Sequence, residues 1–413
     1  MADSDVTAVH ACRICGSKEL FSILNLGRQP LANSLLTSLE PPPAAFPLAV
    51  VGCSGCGVMQ LSVTVEPRLM FDDYLYFSSY SDSMVVAMRT LAAATVRELG
   101  LSRDDLVMEI ASNDGYLLRH YLELGVPVLG VEPAANVARA AEALGIETRV
   151  DYFTSELASE LREGGYRPRV IHANNVLAHV PEIHDLVEGM AICLADAGVV
   201  ILETPYLVDL IDRALFETIY HEHVFYYSLS ALEHLFGEHG MFIQDCEHLA
   251  VHGGSLRVTF RKGSQVTPTT RAAKAISTEA SRFLRSESTY ARFVSEVSKE
   301  RSEVIDQLRR VKGSGRSLAG YGAAAKATVL LNFTGIDGRT IDYVVDRNPA
   351  KQGRFIPGVS IPVLPVEHLR ERAPDVLAVL VWNLASEVRA QLSWFTEGGG
   401  ELIVPLEERR ALS

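Results

Sequence analysis

The sequence predicts an α/β protein built in successive units: a small cysteine-rich N-terminal lobe, a first α/β domain, a helical connector and a second, smaller α/β domain. Three observations predict it. At 413 residues the chain is too long for one ordinary core. Two C-x-x-C pairs lie near its N-terminus. Beyond them, strand-like and helix-like segments alternate at a spacing typical of parallel sheets covered by helices on both faces. We place the units at residues 1–70, 71–262, 263–315 and 316–413.

Composition and charge exclude several classes of protein. Hydrophobic residues make up 48% of the chain and charged residues 22%, as in soluble globular proteins. No apolar run reaches the roughly 18 residues of a membrane span. The start "MADSDVTAVHACRIC" lacks the basic and apolar regions of a signal peptide, so we expect a cytoplasmic location. A net charge of −13 argues against nucleic acid as a partner. We expect a monomer or a weak homo-oligomer.

The N-terminal lobe is predicted to bind zinc. "CRIC" and "CSGC" supply Cys12, Cys15, Cys53 and Cys56, and each C-x-x-C turn can direct two thiolates at one ion. A zinc ion held by four thiolates has no open position for water, which predicts a structural role.

The first α/β domain is predicted from its hydrophobic runs. A helix is expected over 84–99. "LVMEIASNDGYLLRHYLELG" (106–125) predicts a strand, a glycine-containing turn and a helix, and "VPVLGVEPAANVARAAEALG" (126–145) repeats this order. "RVIHANNVLAHV" (169–180) and "GVVILETPY" (198–206) predict further buried strands, with a helix between them.

The second half of the chain repeats the alternation after a change in composition. Residues 264–312 are polar, rich in Ala, Ser, Arg and Glu, and helical in period, which predicts the connector. "RSLAGYGAAAKATVLLN" (316–332) and "TIDYVVDRNPAKQGRFIPGVSIPVL" (340–364) then open a smaller strand–helix series. "DVLAVLVWN" (375–383) and "GELIVP" (400–405) continue it.

A cofactor site is predicted where the first strands end. "EIASNDGYLL" lies at the carboxyl end of a strand, where open α/β sheets bind ligands. It lacks the three-glycine spacing of a dinucleotide site, and it offers a turn at Gly115 beside Glu109, Asn113 and Asp114. In "GVEP", at the end of the next strand, Glu132 could hold both hydroxyls of a ribose.

Further cofactor-binding candidates follow later strands. "DYF" could bracket an adenine with a carboxylate and an aromatic ring, and an asparagine pair comes after it. These candidates are Asp151, Tyr152, Phe153, Asn174 and Asn175. An acidic strand-end loop followed by an acid on the next strand resembles the S-adenosylmethionine site of class I methyltransferases. That ligand is cationic and carries no phosphate, so acids replace a glycine-rich cradle.

The stretch "TIYHEHVFYYS" (218–228) has three interpretations. His221 and His223 could bind a metal from one face of a strand, although "HEH" is not H-E-x-x-H and no third ligand is near. The polar groups could satisfy one another in a half-buried strand. For acid/base chemistry, His223 could act near its ordinary pKa of about 6.5, Glu222 could set its tautomer, and Tyr220 could donate to an oxyanion.

Taken in order, "CRIC…CSGC", "EIASNDGYLL", "YHEHVFYYS", "VHGGSLRV" and "GYGAAAKATVLLNFTGI" resemble the deoxysugar C-methyltransferases. The resemblance extends over about residues 10–408 and is greatest to the 3-C-methyltransferases of tetronitrose-type sugars. These enzymes methylate ring carbon of nucleotide-linked 4-keto sugars in antibiotic and surface-glycan pathways. The resemblance implies a zinc-binding lobe, a central Rossmann-like S-adenosylmethionine domain of class I, and a C-terminal Rossmann-like domain that closes over the sugar nucleotide.

The resemblance also implies a set of catalytic residues. The family's Tyr-x-Glu-His pattern falls on Tyr220, Glu222 and His223, and its histidine after the asparagine pair falls on His179. Its early active-site tyrosine falls on one of two positions, Tyr74 or Tyr76. We expect a base, His223 before Tyr220, to deprotonate the carbon beside the ketone, with Glu222 orienting the histidine. His179 or a lobe tyrosine would then stabilise the enolate oxygen.

The C-terminal domain is expected to hold the nucleotide diphosphate. "GYGAAAK" would bring backbone N–H groups and Lys326 to a phosphate, and "NPAKQGR" adds further cations. The remaining substrate-binding candidates are Asn332, Lys351, Arg354, Trp382 and Asn383.

Four alternatives stay open from the sequence: methylation at C-5 of a related sugar, an O- or N-methyltransferase acting on a sugar nucleotide, an RNA methyltransferase with a zinc knuckle, and a non-enzymatic zinc-stapled binding module. The acidic balance weighs against RNA. The coincidence of cofactor-like acids with a His/Glu/Tyr cluster weighs against a binding module.

Overall fold

The computed structural model describes residues 5–71, 79, 82–250 and 253–406. Tyr74 and Tyr76 lie outside the described residues. No helix within these ranges has the length and apolar character needed to cross a membrane.

The N-terminal lobe is built on antiparallel strands. Its elements are β1 Val6–Ala8, β2 Leu20–Pro30, β3 Ala45–Cys53, β4 Met59–Leu61, β5 Val63–Val65 and helix α1 Arg68–Phe71. Strand β1 pairs with β5, while β2, β3 and β4 form a meander. A fourth strand of the meander sheet comes from a distant part of the chain, because Phe225–Tyr226 pairs with β4. The lobe is therefore joined to the stretch that carries the acid/base candidates.

The central domain follows the predicted strand–helix series. Its elements are α2 Asp82–Leu99, β6 Val107–Ile110, α3 Leu118–Glu123, β7 Val128–Val131, α4 Ala135–Ala143, β8 Thr148–Arg149, α5 Ser155–Glu163, β9 Val170–Asn174, α6 Ile183–Cys193, β10 Val199–Pro205, α7 Leu207–Asp212, β11 Phe225–Tyr226, α8 Leu229–Glu238, β12 Met241–Leu249 and β13 Ser255–Lys262. Short 3-10 helices lie at Leu177–His179 and Phe216–Thr218. Every residue of β6, β7 and β9 is buried, as expected for parallel strands covered on both faces.

The strand order of the central sheet places a ligand site. The order is β12-β13-β10-β9-β6-β7-β8, with β13 antiparallel to both neighbours. From β6 the chain winds outward through β7 and β8, then returns to β9 on the other side of β6. The carboxyl ends of β6 and β9 therefore form a topological switch point, where open α/β sheets leave a crevice for a ligand.

The connector and the C-terminal domain complete the chain. Their elements are α9 Thr270–Ala280, α10 Ala291–Gly313, β14 Leu318–Tyr321, α11 Ala325–Thr334, β15 Val344–Val345, β16 Phe355–Ile356, β17 Ile361–Leu364, α12 His368–Glu371, β18 Val376–Val379, α13 Ala385–Gln391, α14 Ser393–Glu397 and β19 Glu401–Ile403, with 3-10 helices at Glu287–Tyr290 and Trp382–Leu384. The sheet order is β16-β17-β15-β14-β18-β19. All its pairings are parallel except β16 with β17, and its switch point lies between β14 and β18.

A loop of the lobe contacts the C-terminal domain directly. Leu36 forms an antiparallel bridge with Phe355, with N···O distances of 2.9 and 2.8 Å. The Thr328 hydroxyl, on α11, donates to the Ala32 carbonyl at 2.9 Å. Residues 31–36, called the 31–36 segment below, are thus fixed between the lobe and the C-terminal domain.

Candidate active site

One cavity of about 1070 Å³ lies where the lobe, the central domain and the C-terminal domain meet. Its lining includes thirteen of the residues that the sequence singled out: Asn113, Glu132, Tyr152, Phe153, Asn174, Asn175, His179, Tyr220, Glu222, His223, Lys326, Lys351 and Asn383. A single small-molecule pocket typically measures about 300–1,000 Å³. The cavity is therefore large enough for a cofactor and a second ligand together.

The wall at the end of β6 is a strained loop. Ala111 and Asn113 have φ values of 52° and 50°, and Asn175, after β9, has 55°. Non-glycine residues adopt this left-handed conformation rarely, and they do so most often at functional sites. Gly115 has a φ of 77°, and a Cβ atom there would lie 2.3 Å from the Ile146 side chain. Only glycine therefore permits the turn that brings β6 into α3.

Glu132 forms the far wall of this crevice. Its buried carboxylate accepts hydrogen bonds from the backbone N–H groups of Asn113 and Ala134, each at 2.9 Å. Burial raises the pKa of Glu132 above its ordinary value, and the two N–H donors oppose that rise. The carboxylate thus locks the β6 loop to the end of β7 while it lines the cavity.

Buried polar atoms near this loop have no protein partner. Within the described residues, Glu109 Oε2, Asp114 Oδ1 and Asn174 Oδ1 are buried and lack a hydrogen bond. Buried polar atoms are nearly always paired, so these atoms are suited to a polar ligand or ordered water. Asp114 also accepts a hydrogen bond from the Ser79 N–H at 3.1 Å.

Tyr220 and His223 form a donor–acceptor pair in the cavity. The Tyr220 hydroxyl lies 2.8 Å from His223 Nε2, and His223 Nδ1 lies 3.2 Å from the Thr218 carbonyl oxygen. A carbonyl only accepts, so Nδ1 carries the proton and Nε2 presents its lone pair to the tyrosine hydroxyl. The predicted orienting role of Glu222 therefore needs correction, since the Thr218 carbonyl sets the tautomer.

His179 packs against this pair. Its ring stands edge-on to the His223 ring, with centroids 4.7 Å apart. Loss of hydration lowers the pKa of His179 to about 4, so this imidazole is neutral at pH 7.

Glu222 is directed toward the lobe. Its carboxyl group is 3% exposed and accepts a hydrogen bond from Asn33 Nδ2 at 2.7 Å. Burial raises the pKa of Glu222 to about 7, while the Asn33 hydrogen bond and the charge of Lys351 oppose the rise. The side chain of neighbouring His221 is buried and bonds the Pro47 carbonyl at 3.2 Å. The metal interpretation of "HEH" is not supported, because the four cysteines are the only possible metal-binding group among the described residues.

The C-terminal domain supplies cations to the opposite wall. Lys351 Nζ donates to the Ala323 carbonyl at 3.0 Å and lies 3.8 Å from Asp346. Asp346 accepts from the Ala323 N–H at 2.8 Å, so it braces the turn between β14 and α11. Lys326 Nζ lies 4.8 Å from the centroid of the Trp382 ring, a cation–π distance.

Several predicted binding residues do not line the cavity. Asn332 donates to the Thr328 and Pro357 carbonyls, and Arg354 reaches the Leu35 carbonyl at 3.5 Å. Arg354 therefore supports the contact with the 31–36 segment, Asn332 braces the C-terminal domain internally, and neither side chain lines the cavity. Trp382 donates from Nε1 to Glu217 at 2.6 Å, and its ring packs against Lys326, which lines the cavity. Glu109, Asp114, Gly115 and Asp151 are also absent from the lining.

Comparison with known proteins decides the family. A C-methyltransferase of Streptomyces niveus, NovU, is 35% identical over 412 residues, which cover 99% of this chain and 98% of that protein. The chain belongs to the C-methyltransferase family. Family models agree along the chain of this C-methyltransferase. A zinc binding domain matches residues 12–71, a methyltransferase domain matches 85–243, and a C-methyltransferase C-terminal domain matches 250–407.

Solved structures similar to this C-methyltransferase align with less than half of it. Magnesium protoporphyrin IX methyltransferase of Synechocystis PCC 6803, with bound S-adenosylhomocysteine, is 14% identical and covers 48% of this chain and 92% of its own, with a TM-score of 0.36. The CcbJ methyltransferase of Streptomyces caelestis is 13% identical and covers 43% and 90%, with a TM-score of 0.33.

The predicted fold class and cofactor are confirmed. This C-methyltransferase has the class I α/β fold and depends on S-adenosylmethionine. The residues present are suited to that cofactor: a carboxylate at the end of β7, a strained loop after β6, and Asn174 in the cavity lining, whose buried Oδ1 has no protein partner within the described residues. Such oxygens can accept hydrogen bonds from the ammonium group, the adenine amino group and the ribose hydroxyls of this ligand.

The lobe of this C-methyltransferase is suited to zinc. The Cys12 and Cys56 sulfurs lie 3.6 Å apart, the Cys15 and Cys53 sulfurs lie 3.5 Å apart, and all four lie within 4.8 Å of one another. Tetrahedral zinc with bonds of about 2.3 Å separates its sulfurs by about 3.8 Å. The four thiolates would fill the coordination sphere of a bound zinc ion, as expected of a structural site.

Sequence reasoning missed several residues of the cavity in this C-methyltransferase. Asn33 comes from the lobe, and Tyr321, Asp346, Arg347 and Glu387 come from the C-terminal domain. The signal for Asp346 was present, because an acid directly after a strand, next to a glycine-rich turn, marks a ligand site in Rossmann-like folds. Asn33 carried no such signal, since an asparagine in a loop is common.

Proposed function

We propose that this enzyme methylates a ring carbon, C-3, of a nucleotide-linked 4-keto deoxysugar through an enolate. The observation that supports this most is the Tyr220–His223 pair, which lines the same cavity as Glu132 at one end and Lys351 at the other. Bound S-adenosylmethionine would supply an electrophilic methyl group. A ring carbon has no lone pair to accept it, so the protein must first remove a proton.

The pair offers both groups that this step needs. His223 Nε2 presents a lone pair, which suits a base, and the Tyr220 hydroxyl is a donor that suits a developing oxyanion. When a ketone oxygen takes the tyrosine hydrogen bond, Nε2 becomes free to accept the proton from the adjacent carbon. The Thr218 carbonyl, bonded to Nδ1, stabilises the imidazolium that results. Tyr220 acting as the base is the second assignment.

His179 contributes by shape and polarity. Its neutral ring packs on His223 and therefore adds no positive charge that would oppose formation of the His223 imidazolium. Its ring is also hydrogen-bonded to the backbone of Glu222. These contacts support a role in holding His223 in place, in addition to the enolate contact expected from the sequence.

The C-terminal wall supports binding of a diphosphate. Lys326 and Lys351 line the cavity beside the β14–α11 turn, whose backbone N–H groups lie at the start of a helix. Asn383 lies in the 3-10 helix that follows β18, on the other side of the same switch point. The nucleotide would lie here, with its sugar directed toward His223.

One experiment tests the proposal. The protein is incubated with methyl-labelled S-adenosylmethionine and a panel of nucleotide 4-keto sugars, and the new methyl group is located by NMR. A methyl group on C-3 supports the proposal. A methyl group on C-5 contradicts the position, and one on oxygen or nitrogen contradicts the enolate. Deuterium wash-out beside the ketone gives an independent reading, because an O- or N-methyltransferase has no need of that exchange.

A further inference from the structure

Asn33 is a lobe residue whose side chain reaches the methyl-transfer cavity. It lies in the 31–36 segment, between β2 and β3, and lines the cavity with the central-domain residues. The segment is held from the C-terminal domain by the Thr328 hydrogen bond to Ala32 and by the Leu36–Phe355 bridge. The position of Asn33 is therefore set by contacts between the lobe and the C-terminal domain, and the segment that carries it is not a free loop.

The partner of Asn33 is Glu222. Asn33 Nδ2 donates to Glu222 Oε1 at 2.7 Å, and this is the only hydrogen bond of that carboxyl group within the described residues. A carboxyl group as buried as Glu222 normally has partners for both oxygens. Because Glu222 lines the cavity and Asn33 occupies one oxygen, the second oxygen remains for a ligand.

We propose that Asn33 is a positioning residue: it holds Glu222 so that the second carboxyl oxygen accepts a hydrogen bond from a hydroxyl or amino group of the sugar. That the ligand is a sugar rests on the proposed function. The lobe then has a role in the reaction beyond binding zinc, because it supplies a side chain that sets the geometry of the substrate site.

The electrostatic surroundings of Glu222 make the role measurable. Burial raises the pKa of Glu222 to about 7, and the Asn33 donor and the Lys351 charge both favour the ionised form. His223 follows it in the chain, and the His179 ring bonds its backbone. Loss of the Asn33 N–H donor removes support for the ionised form, so the pKa of Glu222 must rise.

The test uses the full-length enzyme loaded with zinc. The variants are Asn33→Ala, Glu222→Gln and the double variant, with Asn33→Asp as a second, nearly isosteric change that removes the amide donor. Asn25→Ala is the matched control: it removes another lobe asparagine that makes a side-chain hydrogen bond, to Gly27 at 2.8 Å, on the exposed side of the lobe. The readouts are kcat and KM for the nucleotide sugar across roughly pH 5.5–9, a range that includes most of the usual region of maximal stability, together with calorimetric binding of S-adenosylmethionine and the melting temperature.

The following results are expected. Asn33→Ala lowers kcat/KM for the nucleotide sugar by about 10- to 100-fold, the usual effect of one hydrogen bond to a charged group. The pH limb that belongs to Glu222, absent in Glu222→Gln, moves to higher pH. The double variant loses no more than about threefold beyond Glu222→Gln, because Asn33 acts through Glu222. Binding of S-adenosylmethionine and the activity of Asn25→Ala stay unchanged.

Other results overturn the proposal. Wild-type activity in both Asn33 variants would remove the role. So would a loss that leaves the pH profile unmoved and adds fully to that of Glu222→Gln, since Asn33 would then act only on folding. A wild-type enzyme that methylates no nucleotide 4-keto sugar contradicts the proposed function instead, and the two failures are thereby separated.

Discussion

The Tyr220 hydroxyl lies 2.8 Å from Nε2 of His223, and the Thr218 carbonyl bonds the other nitrogen of the same ring. The direction of both hydrogen bonds is therefore fixed: the imidazole Nδ1–H donates to the carbonyl, and the phenol O–H donates to imidazole Nε2. In the proposed mechanism, a substrate ketone that accepts the phenol hydrogen bond would free the Nε2 lone pair to take the proton from the carbon beside it. The proposed base and the proposed oxyanion donor would thus be coupled through a single contact.

We expect His223→Asn to abolish methyl transfer while binding of S-adenosylmethionine remains. A general base typically contributes about 10²–10⁴-fold to the rate, and no equivalent lone pair replaces Nε2. Turnover and calorimetry on the same preparation measure the two effects. His234→Asn is the control, since His234 pairs with Glu238 on the half-exposed face of α8. Near-normal turnover in His223→Asn would remove the assignment of the base.

Tyr220→Phe separates the two candidates for the base. If His223 is the base, removal of the phenol weakens the oxyanion contact, and deuterium wash-out beside the ketone slows by about 10- to 1,000-fold without disappearing. If Tyr220 is the base, wash-out is lost as completely as turnover. The measurement is NMR detection of exchange in D₂O, with S-adenosylhomocysteine in place of the methyl donor.

Six of the ten predicted cofactor-binding residues line the cavity, for a physical reason. Strands β6, β7 and β9 are short buried runs followed at once by polar residues, and parallel strands bring such ends to one edge of the sheet. Glu132 was therefore placed by local pattern alone. The zinc ligands were equally local, because a C-x-x-C turn determines its own geometry.

The contacts that depend on tertiary packing escaped prediction. Asn33 and Glu222 are 189 positions apart, and nothing local to either residue reveals the contact. Glu222 was expected to bond the adjacent histidine, but neighbouring side chains in an irregular segment point in different directions. Arg354 and Asn332 look like ligand groups, yet Arg354 bonds the Leu35 carbonyl at the lobe contact and Asn332 bonds carbonyls within the C-terminal domain. Tyr74 and Tyr76 remain predictions.

Loss of zinc should unfold the lobe before the central domain. We expect Cys53→Ser to lower the zinc content measured by mass spectrometry and to lower the melting temperature by roughly 5–10 °C, because the ion contributes directly to folding energy. Turnover should fall with it, since Asn33 belongs to the same lobe. Cys193→Ala, a buried cysteine outside the cluster, serves as the control and should keep its zinc. Full zinc content in Cys53→Ser would contradict the four-cysteine site.

Lys351→Met should raise KM for the nucleotide sugar by about tenfold and leave the affinity for S-adenosylmethionine unchanged. The variant removes one cation from the wall proposed to bind the diphosphate, and such a contact is worth about 1–2 kcal/mol in a partly buried site. Lys312→Met is the control: Lys312, on the connector helix α10, pairs with Asp342 of the C-terminal domain at 2.6 Å and does not line the cavity. An equal rise in KM for both variants would indicate a general charge effect and not a binding contact.

His221 should make the fold sensitive to acid. Burial lowers the pKa of His221 from 6.5 to about 4, so the folded protein holds this ring neutral while the unfolded chain takes up a proton. Its contribution to stability is thus present above about pH 6.5 and is lost as the pH falls toward 4, by about 1.4 kcal/mol per pH unit. We expect His221→Gln to flatten the pH dependence of the urea midpoint between pH 6.5 and 4.5 relative to wild type, whereas His234→Gln, at the half-exposed face of α8, should leave it unchanged. Two other histidines with pKa values lowered by loss of hydration, His172 on β9 and His179, contribute equally to all three proteins and cancel in the comparison. Identical slopes in wild type and His221→Gln would show that this ring is charged in the folded state.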